Sequence, residues 1–222
     1  MPTAPLVVGF DLDMTLVDSA DGIAATLAAA VQACPGGEGV RIGREEVWPW
    51  VGLPLEPTVM ALAPRADPDQ VVAAYRARYE KIGVPLTRIL PGALEAVRAV
   101  RAAGGRVLVV SAKAEAGVRE VLTAVGLDHG EVAPDLVVGG LFGAAKAATL
   151  IGQRADVYVG DHPGDVEAAR VAGAISVAVT TGPQTEAALV AAGADVILAD
   201  LVGFPKWLSS FLPDFSRSRV TR

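Results

Sequence analysis

Cysteine is almost absent. Cys34 stands alone in 222 residues, so no disulfide within the chain can staple the fold, and a single thiol fits a reducing cytoplasm, the location expected here. Long hydrophobic runs are missing as well. Hydrophobic residues make up 52% of the chain and the mean hydropathy is +0.43. Much of that excess is alanine, however, and no run approaches the ~18 apolar residues of a membrane span. The N-terminus lacks the basic region of a secretory signal and reaches Asp11 at once, so no cleaved leader is expected. An excess of positive charge is lacking too. The formal net charge of −6 argues against a general nucleic-acid binder, whose footprint would be basic. Only Ser216-Arg-Ser-Arg-Val-Thr-Arg222 is basic, and it reads as a solvated tail. There are no internal repeats and no low-complexity segments. The length suits one large domain, or one domain carrying a smaller insert.

What is present begins with two aspartates. Asp11 and Asp13 stand at the end of the apolar run Pro5-Leu-Val-Val-Gly-Phe10, which reads as a buried strand. Side chains at i and i+2 leave a strand on the same side, so both carboxylates are expected to aim at one point. Burying two anions together costs free energy unless a cation or a shared proton relieves it. Such a pair is suited to holding a metal ion and a reacting group.

After about residue 90 the pattern alternates. Pro91 suits the first turn of a helix with apolar Leu94, Val97 and Val100, stopped by Gly104-Gly105. Strand 106–110, a helix along Val118, Val121, Leu122 and Val125, and a weaker strand 136–138 follow. A helix from about Ala144, strand 157–159, helix 165–172, strand 175–179, helix 185–192 and a short strand near 196–197 complete the series. The alternation predicts an α/β fold, a Rossmann-like parallel sheet covered by helices on both faces, with its ligand site beyond the carboxyl ends of the strands. Residues 20–89 break the pattern. Helices are expected along Ile23, Leu27 and Val31 (capped by Ser19 or Asp21) and near 44–50, 55–63 and 68–82, with no strong strand. The division is therefore a core of 1–19 and 90–222 and a helical insert of 20–89.

Four strand ends carry polar groups suited to one reaction: Asp11 and Asp13 with Thr15 just beyond; Ser111-Ala-Lys113; Lys146 near the start of a helix; and Gly160-Asp-His-Pro-Gly-Asp165. In this order they resemble the haloacid-dehalogenase-like hydrolase superfamily, in particular phosphatases similar to phosphoglycolate phosphatase. The matching pieces, Asp11-Leu-Asp-Met-Thr-Leu-Val-Asp-Ser19, Ser111, Lys146 and Gly160–Asp165, span nearly the whole chain. The resemblance implies that residues 20–89 are a helical cap. It further implies that Asp11 attacks phosphorus to form an aspartyl-phosphate and that Asp13 protonates the leaving oxygen and later activates water. Ser111 and Lys146 would hold the phosphoryl oxygens. Asp161, Asp11 and the backbone carbonyl of Asp13 would bind Mg²⁺, with Asp165 supporting that site. Thr15, Ala112 and Lys113 complete the expected substrate-binding set. Ala112 departs from relatives that carry an amide or hydroxyl there, and Lys113 either offsets the anion from a distance or is solvated. His162 stands where relatives carry a small or hydroxylated residue, and no role is carried onto it.

The chemistry has its own logic. Phosphoryl transfer needs positioning and stabilisation of the equatorial oxygens, which Mg²⁺, Lys146 and Ser111 can supply. A carboxylate is a competent nucleophile once a cation offsets the charge it attacks, and Mg²⁺ prefers carboxylate, carbonyl and water oxygens. Asp13 as an acid needs a raised pKa, which neighbouring carboxylates are expected to promote. The partner expected is a small phosphorylated metabolite, not nucleic acid or membrane. In the insert, Trp48 and Trp50 read as cap core, and Arg76, Arg78, Arg88 and Lys81 as solvated charges or a recognition cation for a second anionic group. Hinges are expected near 18–20 and 87–90. Asp13 argues against a dehalogenase, no cap motif marks a phosphomutase, and Lys81 does not suggest a phosphonatase. A non-catalytic binding module on the same scaffold is the alternative from another class.

Overall fold

The computed structural model describes residues 5–220. An uncharged apolar tetrapeptide has two faces to bury, and β1 (Val7–Phe10) buries every residue. A turn leads to β2 (Val17–Asp18), followed by four helices, α1 (Ala20–Gln32), α2 (Arg44–Val47), α3 (Leu55–Leu62) and α4 (Pro68–Ile82). The chain returns through β3 (Arg88–Ile89) and then alternates. The order is α5 (Ala93–Ala102), β4 (Arg106–Val110), α6 (Glu115–Ala124), β5 (Leu136–Val138), α7 (Ala147–Gln153), β6 (Val157–Gly160), α8 (Pro163–Ala172), β7 (Ile175–Val179), α9 (Glu186–Ala191), β8 (Val196–Leu198) and α10 (Phe204–Val220).

Six strands form one sheet in the order β5-β4-β1-β6-β7-β8, and every neighbouring pair is parallel. The chain winds outward from β1 through β4 to β5, then crosses back to β6 on the other side of β1. That reversal opens a crevice beyond the carboxyl ends of β1, β4 and β6, where ligands bind in sheets of this kind. Alternate residues face opposite layers, as the two-residue period of a strand requires. Val8 and Phe10 pack with Val97, Val100 and Phe204 from α5 and α10. Val7, Leu108 and Val110 pack with Leu150, Ala168 and Ala169 from α7 and α8. Gly9 is a packing requirement of the second layer, because a Cβ there would lie 2.8 Å from the Tyr158 ring.

Between β2 and β3 the chain builds a helical unit in which α1 packs along α4. Gly22 admits the C-cap of α4 close to α1, since a Cβ there would meet the Gly83 carbonyl oxygen at 2.3 Å. Leu27, Val31, Val47, Val59 and Val71 fill this unit, and its apolar core is continuous with one face of the sheet. The two crossings between helical unit and sheet pair as an antiparallel ribbon, Val17 with Ile89 and Asp18 with Arg88.

Several local expectations change. Arg88–Ile89 is a strand, though only two residues long and exposed, which is too little apolar patterning for a sequence signal. Pro91 lies outside α5, whose N-cap is Gly92 at φ 80°. A Cβ on Gly92 would come within 2.1 Å of the Val202 nitrogen, so close approach sets that boundary. The helix expected from Ala144 begins instead as a 3-10 turn, Gly143–Lys146. Ser19 occupies the N-cap of α1 without capping it through its side chain. Helix α10 was not expected at all. It covers Phe10 with Phe204, ring centroids 5.5 Å apart, and it runs into the basic tail. The side chains of that tail, with Thr221 and Arg222, lie outside the described residues.

Candidate active site

Asp11, Ser111 and Asp161 stand one residue past β1, β4 and β6, whereas Lys146 and Asp165 come from the starts of helical segments. The Asp11 N–H donates to the Val159 carbonyl at 2.8 Å, extending the ladder of β1 one residue past the strand. The chain then folds back: Met14 takes φ 58°, and the amides of Thr15, Leu16 and Val17 all donate to the Leu12 carbonyl. A left-handed conformation in a residue with a Cβ costs free energy and persists where surrounding contacts enforce it. Here the Thr181 hydroxyl holds the Met14 carbonyl.

This turn separates the two aspartates by environment. Asp11 Oδ1 accepts from Lys146 Nζ at 2.8 Å, and its carboxylate gathers with those of Asp161 and Asp165, with one oxygen from each within 4.8 Å of the others. Asp13 turns to different partners: Ser19 Oγ donates to its Oδ1 at 2.5 Å, and Lys113 Nζ lies 3.3 Å away. Asp13 is therefore absent from the carboxylate cluster among the described residues, and the charged group upon it is an ammonium. Asp13 thus has an ion-pair partner of its own, because strand geometry ends at Asp11, while its charge still acts on Asp11.

Lys146 reaches the cluster through two glycines. Gly143 takes φ 55° at the start of the 3-10 turn, and a Cβ on Gly164 would come within 3.0 Å of the Gly143 Cα. That close approach seats the turn against α8, and the buried ammonium meets Asp165 Oδ1 at 2.7 Å as well as Asp11. Burial alone would lower the Lys146 pKa, yet the charges of Asp11 and Asp165 outweigh it and hold the pKa well above the usual lysine value.

The carboxylates show the opposite balance. Burial pushes Asp11 up to about 7; Lys146 pulls it down, while Asp165 and Asp13 push it further up. Asp161 is raised as well, first by burial and then by Asp11 and Asp165. Its Oδ1 accepts from Thr15 Oγ1 at 3.3 Å, while Oδ2 is buried with no hydrogen-bond partner. A Cβ on Gly182 would stand 1.8 Å from that oxygen, so the loop after β7 presses against Asp161 without giving it a donor. Gly160 likewise yields its Cβ space to the Asp165 carboxylate, 2.3 Å away. Asp165 Oδ2 also accepts from the His162 amide at 3.2 Å, joining the site to the start of α8.

The donor set fits a cation. It is all oxygen, as a hard divalent ion requires. Four site carboxylates face two lysine ammoniums, which leaves two formal negative charges uncompensated. Asp161 Oδ2 is a buried acceptor without a donor, a position that costs free energy until something binds there.

The other expected residues are placed as follows. Ser111 follows directly on β4, is buried, and accepts from the Lys113 amide at 3.2 Å. Lys113 is not solvated: its ammonium sits 4.2 Å from the centre of the Tyr79 ring on α4, with its pKa raised against the effect of burial, chiefly by Asp13. Ala112 lines the cavity beside Lys113 and brings no polar side chain. His162 is a helix N-cap whose Nδ1 accepts from the Gly164 amide at 3.0 Å, and burial lowers its pKa. Trp48 packs on the apolar core beneath Arg44, whereas Trp50 lines the cavity. Arg78 and Arg88 donate to nearby carbonyls, leaving Arg76 as the insert's cation at the cavity. Sequence reasoning missed Ser19, Tyr79, Thr181 and Gly182 as parts of the site. A signal for the last two existed: Thr180-Thr-Gly182 is a small polar stretch directly after a buried strand.

Fold and site together define a doubly wound α/β protein with a cation-competent acidic centre at its switch point. The chain belongs to the haloacid dehalogenase-like hydrolases, whose family model matches residues 8–170. It is 31% identical over 190 residues to the tyrosine-protein kinase PtkA of Mycobacterium tuberculosis H37Rv, covering 81% of this chain and 63% of the kinase. The chain thus spans under two thirds of that relative's length. It is 28% identical to the phosphoglycolate phosphatase of Aquifex aeolicus over 229 aligned positions, covering 96% of this chain and 92% of the relative. The crystal structure of a predicted phosphoglycolate phosphatase from Haemophilus somnus superposes with a TM-score of 0.78, at 24% identity, over 94% of this chain and 100% of the other.

Proposed function

We propose that the chain is a Mg²⁺-dependent phosphomonoesterase that hydrolyses a small phosphorylated metabolite through an aspartyl-phosphate on Asp11. The observation that carries this reading is the division of labour between the two aspartates, one among metal-competent carboxylates and the other held apart by Ser19 and Lys113. Asp11, Asp161 and the backbone carbonyl of Asp13 would hold Mg²⁺, with Asp165 orienting Lys146. A bound Mg²⁺ supplies charge neutralisation for the phosphoryl oxygens and for the nucleophile.

Asp11 attacks phosphorus while Lys146 and Ser111 hold the equatorial oxygens against developing charge. Asp13 is ion-paired with Lys113; a dianionic phosphoryl group arriving beside it favours the protonated acid. That acid gives its proton to the leaving oxygen and then takes one from the water that hydrolyses the aspartyl-phosphate. Thr15 keeps Asp161 oriented, and Lys113 fixes the direction of Asp13. The helical unit of residues 20–89 acts as a cap that excludes water, moving on the two-residue ribbon at its base.

Phosphate release from p-nitrophenyl phosphate tests the proposal: turnover with Mg²⁺, none with EDTA, and none from Asp11→Asn. Rates at background in every case would overturn it and favour a binding module. The likeness to a tyrosine-protein kinase motivates a parallel arm with γ-labelled ATP. Label passing stably to tyrosine, without phosphate release, would replace the phosphatase reading with a phosphotransferase one.

A further inference from the structure

A cavity of about 480 Å³ opens between the helical unit and the sheet. Among the charged residues of the catalytic centre it touches Asp13 and Lys113, whereas Asp11, Lys146, Asp161 and Asp165 lie outside its walls. It therefore adjoins the acid that serves the leaving oxygen and is set apart from the groups that serve phosphorus. Its size is large for the chemistry named by the phosphatase relatives. A carboxymethyl leaving group would fill only a small part of it.

The walls describe what belongs there. Ile23, Trp50, Leu53, Tyr75, Tyr79 and Phe142 provide apolar and aromatic surface, with Tyr75 and Tyr79 stacked at 5.4 Å. The charges are unfavourable to a second anion. Beyond Asp13 the lining carries Glu56, Asp69 and Glu120, against Arg76 and a Lys113 that Asp13 and the Tyr79 ring already engage. Glu56, Asp69 and Arg76 stand exposed at the rim, where salt screens them. Glu120 is half-buried and faces the cavity without a basic partner among the ion pairs of the described residues. A carboxylate entering this space would leave water for an apolar, negatively biased cavity, which opposes its binding.

We infer that this cavity receives the leaving group, and that the preferred substrates are monophosphates of uncharged, ring-bearing alcohols and not those of small carboxylates such as phosphoglycolate. The inference rests on the phosphatase reading and adds a substrate class to it. Apolar pockets of this volume bury a ring readily, and discrimination arises as much from the carboxylates that repel the wrong ester as from the aromatic walls that accept the right one.

The test uses three esters of primary alcohols, so that leaving-group reactivity stays comparable: benzyl phosphate, 2-hydroxyethyl phosphate and phosphoglycolate. With Mg²⁺, kcat/KM should fall in that order, with at least about tenfold between the first and the last. Trp50→Ala should narrow the ratio of benzyl to hydroxyethyl ester, and Glu120→Gln should narrow the ratio of hydroxyethyl ester to phosphoglycolate. Phosphoglycolate turned over as fast as benzyl phosphate or faster would overturn the inference while leaving the phosphatase reading intact. Should none of the esters turn over, the phosphatase reading itself falls. Thermal shifts then decide the cavity's preference: benzyl phosphate stabilising the protein more than phosphoglycolate supports it, and the reverse order overturns it.

Discussion

Two buried lysine–aspartate pairs stand side by side at the mouth of the sheet, and their surroundings give them different work. Lys146 bridges Asp11 and Asp165, both members of the acidic cluster, and everything around it comes from the sheet and its covering helices. Lys113 contacts a single aspartate, Asp13, and its other neighbour is the ring of Tyr79 on α4. One pair is sealed within the acidic cluster; the other spans the junction with the helical unit. The difference teaches that a lysine's role here is set by how many carboxylates share it, and from which part of the chain its second contact comes.

The largest effect expected comes from removing the proposed nucleophile on the Lys146 side. Asp11→Asn should lower Mg²⁺-dependent phosphate release by at least about 10³-fold, as loss of a covalent nucleophile does, with the fold retained by circular dichroism. A residual rate within tenfold of the parent would show that Asp11 is not the attacking group.

The two lysines can then be set against each other. Lys146→Met leaves buried carboxylates uncompensated and should cost about 3–5 kcal/mol in urea unfolding. Because those carboxylates are the cation's own candidate ligands, Mg²⁺ should restore a large part of the loss. Lys113→Met exposes Asp13, which lies outside the cluster, so Mg²⁺ should restore little there. Equal rescue of both variants would erase the distinction drawn between the pairs.

A pH titration of stability sharpens the same contrast. Asp11 is pushed up to about 7 by burial and Asp161 is raised as well, so between about pH 4 and 7 the folded, metal-free protein binds more protons than the unfolded chain. Stability then falls as pH rises through that window, by a few kcal/mol on the order-of-magnitude scale of one such shift. Mg²⁺ should flatten the decline, since it offsets the charge that appears as these groups ionise. Stability that rises from pH 4 to 7 in EDTA would contradict the raised carboxylates.

The smallest effect belongs to the outer edge of the helical unit. Arg44 pairs with Asp18 at 2.8 Å and Asp21 at 3.2 Å, all partly or well exposed. Arg44→Ala should change stability by no more than about 1 kcal/mol, and a larger loss would mean that this surface pair braces the ribbon beneath it.

Much of this was readable from the order of residues. The strands after residue 90 declare themselves because each is an apolar run closed by polar residues, and buried parallel strands require that pattern. Asp11, Asp161 and Lys146 are legible as a set because carboxylate and ammonium groups at strand ends have few structural reasons to be there. Ser19 reads, with Asp21, as one of two candidate caps of the first helix, and only the turn through Met14 brings Asp13 within its reach. Nothing in the sequence singles out Tyr79, which belongs to α4 and meets Lys113 only through the packing of that helix. Helix α10 was missed because Pro205 and the polar residues among its aromatics blur the helical period.

Composition and motif order by themselves determined the parallel α/β core, the inserted helices and which acidic and basic residues stand at the strand ends, since burial periodicity and charge at strand ends are local properties of the chain. Tertiary structure alone decided how closely Asp11, Asp161 and Asp165 gather on Lys146, which groups hold Asp13, and what lines the cavity beside it. Those outcomes depend on backbone approaches at Gly143, Gly160, Gly164 and Gly182, between segments far apart in sequence, and no local pattern encodes a distance between distant segments.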